Sequence, residues 1–136
     1  MKLNKLLFTF LIILICSLHG QQTIQIMDLT IEKREFQLLN LKIQILNTSQ
    51  KPIAEIGGYF EILDKTNDVA EKKFIFVVNK HDIPLEPDNF VNRNVIIKEK
   101  PGLTGNIRFR VTRLRFYQEQ TIYMICPNCG DLILTD

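Results

Sequence analysis

The chain has 136 residues, 24% of them charged, with three cysteines and no tryptophan. That is one domain's length, enough for a two-layer core. Seventeen basic residues face fifteen acidic ones, but two of the basic residues are Lys2 and Lys5, and the remainder is neutral, which argues against a general nucleic-acid binder.

Lys2 and Lys5 precede an apolar run over residues 6–16 (LLFTFLIILIC) and a short, more polar exit over 17–20. This is the layout of a secretory signal peptide. The run falls short of the roughly 20 residues of a membrane-spanning helix. Cleavage after Gly20 is expected, which places the protein in a secreted or periplasmic location. An uncleaved leader is the one route to a membrane. Cys16 follows Leu14 and Ile15, too bulky for a lipidation signal, and reads as part of the leader. The expected organisation is a signal peptide over 1–20, a β-domain over 21–125 and a cysteine-bearing tail over 126–136.

Residues 22–31 (QTIQIMDLTI) read as a first strand whose parity slips at Met27-Asp28, the mark of a bulge. The charged run 32–35 reads as a turn. Residues 36–46 form a second strand: Leu39, Leu41, Ile43 and Ile45 alternate with Asn40, Lys42 and Gln44. Asn47-Thr48-Ser49 is formally a glycosylation sequon, though its turn chemistry needs no sugar. A third strand runs from Pro52 to Asp64 and contains Gly57-Gly58. That pair implies a bulge or a close backbone approach, without the motif of a phosphate loop.

Residues 73–78 (KFIFVV) form a firm strand, with Val69 and its neighbours as its extension or a loop. The proline-punctuated stretch 84–89 is a connection. Residues 90–99 form a further strand, and Pro101-Gly102 signals a turn. In residues 105–117 (GNIRFRVTRLRFY) the apolar parity shifts between Val111 and Leu114, so one extra residue near Val111-Thr112 would restore a single apolar face. Residues 121–126 return as a last strand. About seven strands with short polar turns and no helix give an all-β fold, an antiparallel β-sandwich.

Asn47, Ser49, Ile53, Phe60 and Asp64, with the later Ile83-Pro84-Leu85-x-Pro87 loop, resemble the immunoglobulin-like sandwich domains of exported bacterial proteins, the FxLYD-type and related additional-strand domains. The likeness covers residues 36–117. Ile83-Pro84 lacks the family's spacing residue between the aliphatic and the proline. The resemblance implies adhesion, assembly or ligand-binding accessory roles and no catalytic residues.

Two stretches carry chemistry. The first is Cys126-Pro127-Asn128-Cys129-Gly130. In an exported chain it reads foremost as a short structural disulfide. A thioredoxin-like pair normally opens a helix beside a βαβ unit, which nothing here supplies. The knuckle is also half a zinc site, for which Cys126 and Cys129 would need His81 and a further ligand. The second is the ladder Arg108, Arg110, Arg113 and Arg115, with Phe116 and Tyr117 near it. On a bulged strand these arginines share one face, with i, i+2 neighbours about 6–7 Å apart. The face suits an anionic partner: a glycan, a lipid headgroup or an acidic protein surface. The competing reading is a solvated face paired with acids on the adjacent strand. His81-Asp82 lacks a nucleophile, and Glu86 and Asp88 lack calcium-loop spacing. The leading expectation is a non-enzymatic interaction or assembly module without a cofactor. The alternative is a small metal-binding or thiol-redox protein.

Overall fold

The computed structural model describes residues 22–100, 106–126 and 132–134. Among them are eight β-strands and no helix: β1 (Ile24–Arg34), β2 (Leu38–Asn47), β3 (Ile53–Leu63), β4 (Val69–Val78), β5 (Phe90–Lys98), β6 (Ile107–Phe116), β7 (Tyr123–Ile125) and β8 (Leu132–Leu134). They form two antiparallel sheets, β1-β2-β5 and β4-β3-β6-β7-β8, which pack as a β-sandwich. The expected leader, Cys16, the Pro101-Gly102 turn and Cys129 lie outside the described residues.

Alternation builds the core. On β2, Leu39, Leu41, Ile43 and Ile45 all turn inward and are buried. Ile56, Phe60 and Ile62 of β3 meet them, together with Phe109, Val111, Leu114 and Phe116 of β6. Phe60 is wholly buried and stands edge-on to Phe109 at 5.1 Å between ring centres. Such a pair adds about 0.5–1.5 kcal/mol beyond its area. β3 is covered on both faces, and only Tyr59 among its eleven residues is less than buried. Gly58 allows this: a side chain there would strike the carbonyl of Arg110 and come within 2.8 Å of the Phe109 ring.

Both expected bulges are present. Ile26 pairs with Ile45 and Asp28 with Gln44, so Met27 is the extra residue of β1. Gly57 pairs with Arg113 and Gly58 with Val111, so Thr112 is the extra residue of β6.

Three elements differ from the sequence reading. β1 runs on through Glu32, Lys33 and Arg34, because these residues are exposed on an edge strand, which tolerates charge where a central strand does not. Phe36 is not in β2. It lies in the β1–β2 turn, where Phe36 (φ 60°) and Gln37 (φ 58°) both have left-handed backbone. β8 adds an eighth strand from the expected tail and pairs with β7 as a hairpin, Ile125 opposite Leu132.

Asn47 ties one end of the sandwich together. It is completely buried. Its side-chain amide donates to the carbonyls of Lys51 (2.9 Å) and Leu85 (2.8 Å) and accepts from the backbone and hydroxyl of Ser49. Its own backbone N–H donates to Asn89 and its carbonyl accepts from Asp88. The sequon asparagine is therefore a structural node, with both amide hydrogens committed inside the fold.

Candidate functional site

The Thr112 bulge decides where the arginines go. Without the extra residue, Arg113 and Arg115 would turn into the core. With it, Arg108, Arg110, Arg113 and Arg115 all stand on the outer face of the five-stranded sheet, beside the outward residues of β3. Register then sets the partners. Arg108 is opposite Glu61 and Arg115 is opposite Glu55, while Arg110 and Arg113 face Tyr59 and Gly57.

Each carboxylate takes two guanidiniums. Glu61 receives Arg108 (2.5 Å) and Arg110 (3.0 Å). Glu55 receives Arg113 (3.2 Å) and Arg115 (3.4 Å), and Arg115 also donates to the Glu119 carbonyl. The Glu61 side chain is only 3% exposed, whereas its arginines are about half exposed. Burial pushes the Glu61 carboxyl up. The Arg108 hydrogen bond, with the charges of Arg110 and Arg108, outweighs that and holds it below the ordinary glutamate value. Glu61 is thus a fixed anionic socket, and the arginines are held in place by their ion pairs rather than waving in solvent.

Aromatic rings complete the face. Across β3 from the arginines, β4 places Lys72 opposite Glu61, Phe74 opposite Tyr59 and Phe76 opposite Gly57. Tyr59 stands edge-on to Phe74 at 5.2 Å, and Phe74 edge-on to Phe76 at 5.1 Å. Arg110 and Lys72 lie over the Tyr59 ring at 5.9 and 5.2 Å, and Arg113 over Phe76 at 5.5 Å. These are cation–π distances. Gly57 makes the arrangement close-packed: a side chain there would come within 2.9 Å of both Phe74 and Arg113. The result is a cationic and aromatic surface with four arginines and Lys72 against two glutamates. It can hydrogen-bond carboxylate, sulfate or phosphate oxygens. It presents no nucleophile paired with a base.

The expected partners of the ladder are only partly the observed ones. Tyr117 is exposed just beyond β6, with its N–H donating to Pro52. Phe116 faces the core, edge-on to Tyr123. The rings that touch the guanidiniums are Tyr59 and Phe76, and these were missed. The KFIFVV run gave the signal: it is apolar at consecutive positions, so one of its two sets of aromatics must face outward.

The other candidates lie apart. Val78, Ile56, Leu114 and Tyr123 form one row across the five-stranded sheet. His81 follows Val78 off one end of that row, and Cys126 follows Tyr123 off the other. The two strands concerned are three spacings apart, about 14 Å. His81 is exposed in a turn, where its N–H donates to the Asn79 side chain. Cys126 immediately follows β7 and has an interaction partner. Among the described residues, no three His, Cys, Asp or Glu side chains are grouped to hold a metal ion. Comparison with protein-family models, curated proteins and solved structures finds no match, so the geometry of this face stands on its own.

Proposed function

We propose that this chain is an exported, non-enzymatic immunoglobulin-like module that binds an anionic partner through the outer face of its five-stranded sheet. One observation carries the reading: four arginines on one sheet face are oriented by only two buried glutamates, so the face keeps a positive surplus that is already ordered. Side chains held before binding lose less entropy on binding. The network also contributes to stability, but two carboxylates offset only two of the four guanidinium charges, which leaves the surplus for a partner. The immunoglobulin-like assignment is supported by strand order. The first, second and fifth strands share one sheet, and the third, sixth and seventh share the other, with the fourth beside the third.

The test is retention of the purified exported protein on an immobilised sulfated or carboxylated polysaccharide. Wild type is expected to bind at low salt and elute as salt rises. Arg110→Gln and Arg113→Gln, whose side chains are partly exposed, are expected to weaken binding about tenfold together, with the melting temperature changed by only a few degrees. No retention at low salt, or equal retention of the double variant, overturns the proposal.

In the same reading, Cys126 and Cys129 form a disulfide that clips the β7–β8 hairpin. Two observations support it: Cys126 has an interaction partner, and Ile125 pairs with Leu132, so only residues 126–131 of the sequence separate the paired positions. Alkylation under denaturing conditions, before and after reduction, with zinc analysis, checks it. Two alkylatable thiols carrying zinc would instead establish the metal-binding alternative, with zinc as its cofactor.

A further inference from the structure

The two ends of the sandwich carry features that the arginine face does not use. At one end, the β1–β2 turn presents Phe36, which is 88% exposed. A lone exposed apolar residue is ordinary. One that also has left-handed backbone is not, because Asn or Gly fits such a turn with less strain. Lys33, Arg34 and Lys98 surround this knob, against Glu35 and Glu99. Lys33 is paired with Glu99 at 2.8 Å, while Arg34 and Lys98 form no salt bridge among the described residues.

At the other end is an open groove of about 450 Å³. Its floor is apolar, with Val78 and Leu85 buried beneath it. Its rim exposes Ile83 (89%) and Phe90 (59%). Three acids line it, Asp82, Glu86 and Asp88, against the single cation Arg93. Arg93 is already paired with Asp82, which leaves Glu86 and Asp88 without an ion pair among the described residues. β2 spans the molecule between the two features. Leu38 follows the knob, and Asn47 is bonded to Leu85, Asp88 and Asn89 of the groove loop. Ten strand residues separate the ends by about 30 Å.

We infer that the knob of one copy of this chain docks in the groove of the next. Phe36 seats against the apolar floor between Ile83 and Phe90, and Arg34 and Lys98 meet Glu86 and Asp88. The occupant follows from complementarity: a basic, aromatic projection and an acidic, apolar recess occur on the same chain. Because the two surfaces differ and lie at opposite ends, the contact is head-to-tail and extends into a linear array instead of closing a dimer. The contact is small, at the lower end of interface sizes, so the association is weak and favoured where copies are concentrated. It is independent of the arginine face, which remains exposed along the side of such an array.

Sedimentation of the purified exported protein over a concentration series tests this. The mass is expected to rise with concentration, and to rise less in high salt. Phe36→Ser removes the knob, and Ile83→Asp spoils the groove; both positions are exposed, so neither change disturbs the core. Each variant alone is expected to stay monomeric at tenfold higher concentration than wild type needs to associate. Mixed, they are expected to give a one-to-one dimer and nothing larger, because each retains one working end. Wild type that stays monomeric throughout overturns the inference, as does Phe36→Ser that associates like wild type, or a mixture that yields no dimer. Phe36→Trp supplies the chain's only tryptophan. A blue shift of its emission with anionic phospholipid vesicles, and none with added wild-type protein, would assign the knob to a membrane surface and likewise overturn the self-docking assignment. Retention on the polysaccharide is unaffected by Phe36→Ser, so failure here and failure of the proposed function are separable.

Discussion

A buried polar side chain is tolerated when every donor and acceptor on it is used, and Asn47 meets that condition. Two carbonyls take its amide hydrogens, and Ser49 gives two hydrogen bonds to its oxygen. Replacing it with alanine removes both donors and the acceptor of Ser49, although the Lys51 carbonyl keeps the Ser49 hydroxyl and the Leu85 carbonyl keeps the Ile53 N–H. The expected cost of Asn47→Ala is about 3 kcal/mol, from four lost side-chain hydrogen bonds and the space left at a fully buried position. In a domain of this size that lowers the melting temperature by about 10 °C or more. A circular-dichroism melt checks it; a drop below about 3 °C would mean that the node is not structural. Intact mass is expected to show no sugar on Asn47 in the folded protein. The sequence shows an Asn-Ser turn here, and its chemistry is legible. The partnership with Leu85, 38 residues away, is not, because no local pattern records which loop will close over which turn.

At the scale of the strand, legibility follows parity. The bulges at Met27 and Thr112 are visible in the sequence because an apolar stripe that changes parity must be realigned if it is to stay buried. The outward arginines follow from the same argument. Their partners do not. Glu61 lies 47 residues from Arg108 and Glu55 lies 58 from Arg113, and the register between β3 and β6 is set only when the sheet assembles. The three-residue β8 is too short to show alternation, and the charged end of β1 lacks an apolar stripe because it projects into solvent. The bulge itself makes a prediction. Deleting Thr112 forces β6 either to turn Arg113 and Arg115 inward or to bury nothing at Leu114 and Phe116. Both choices cost several kcal/mol, since Leu114 is fully buried and unpaired charge cannot replace it. The deletion is expected to abolish the cooperative unfolding transition in urea. Threonine-to-alanine at the same position retains the residue count and is expected to change stability by less than about 1 kcal/mol. A deletion variant that unfolds like wild type would show that the bulge is not what orients the arginines.

For the whole molecule, the ion pairs set how stability depends on pH. Glu61, Glu32 and Asp64 all have carboxyls held below their ordinary values. For Glu61, burial raises the pKa and the Arg108 and Arg110 interactions more than offset it; for Glu32 the cause is the Lys42 hydrogen bond; for Asp64 it is the Thr66 hydroxyl. A group whose folded pKa is depressed contributes stability that is complete above its unfolded value, about 4, and is lost as the pH falls through the folded value. Lys51 is shifted the other way by its hydrogen bond to Glu119. Its contribution is complete below about 10.4 and is lost only in stronger alkali. The domain is therefore expected to have constant stability between about pH 5 and 10 from these groups and to weaken below about pH 4. Glu61 dominates the acid limb because it alone of the three is buried. Glu61→Gln removes the anion while Arg108 and Arg110, half exposed, return to water, so the loss at neutral pH is about 1–3 kcal/mol rather than that of a stranded buried charge. Urea unfolding at pH 7, 5, 4 and 3 measures both curves. The gap between wild type and Glu61→Gln is expected to be widest at pH 7 and 5 and to narrow at pH 4 and 3, as the wild-type carboxyl takes up its own proton. A gap that stays constant across this range would show that Glu61 contributes through packing and neutral hydrogen bonds. The arginines would then not owe their placement to its charge.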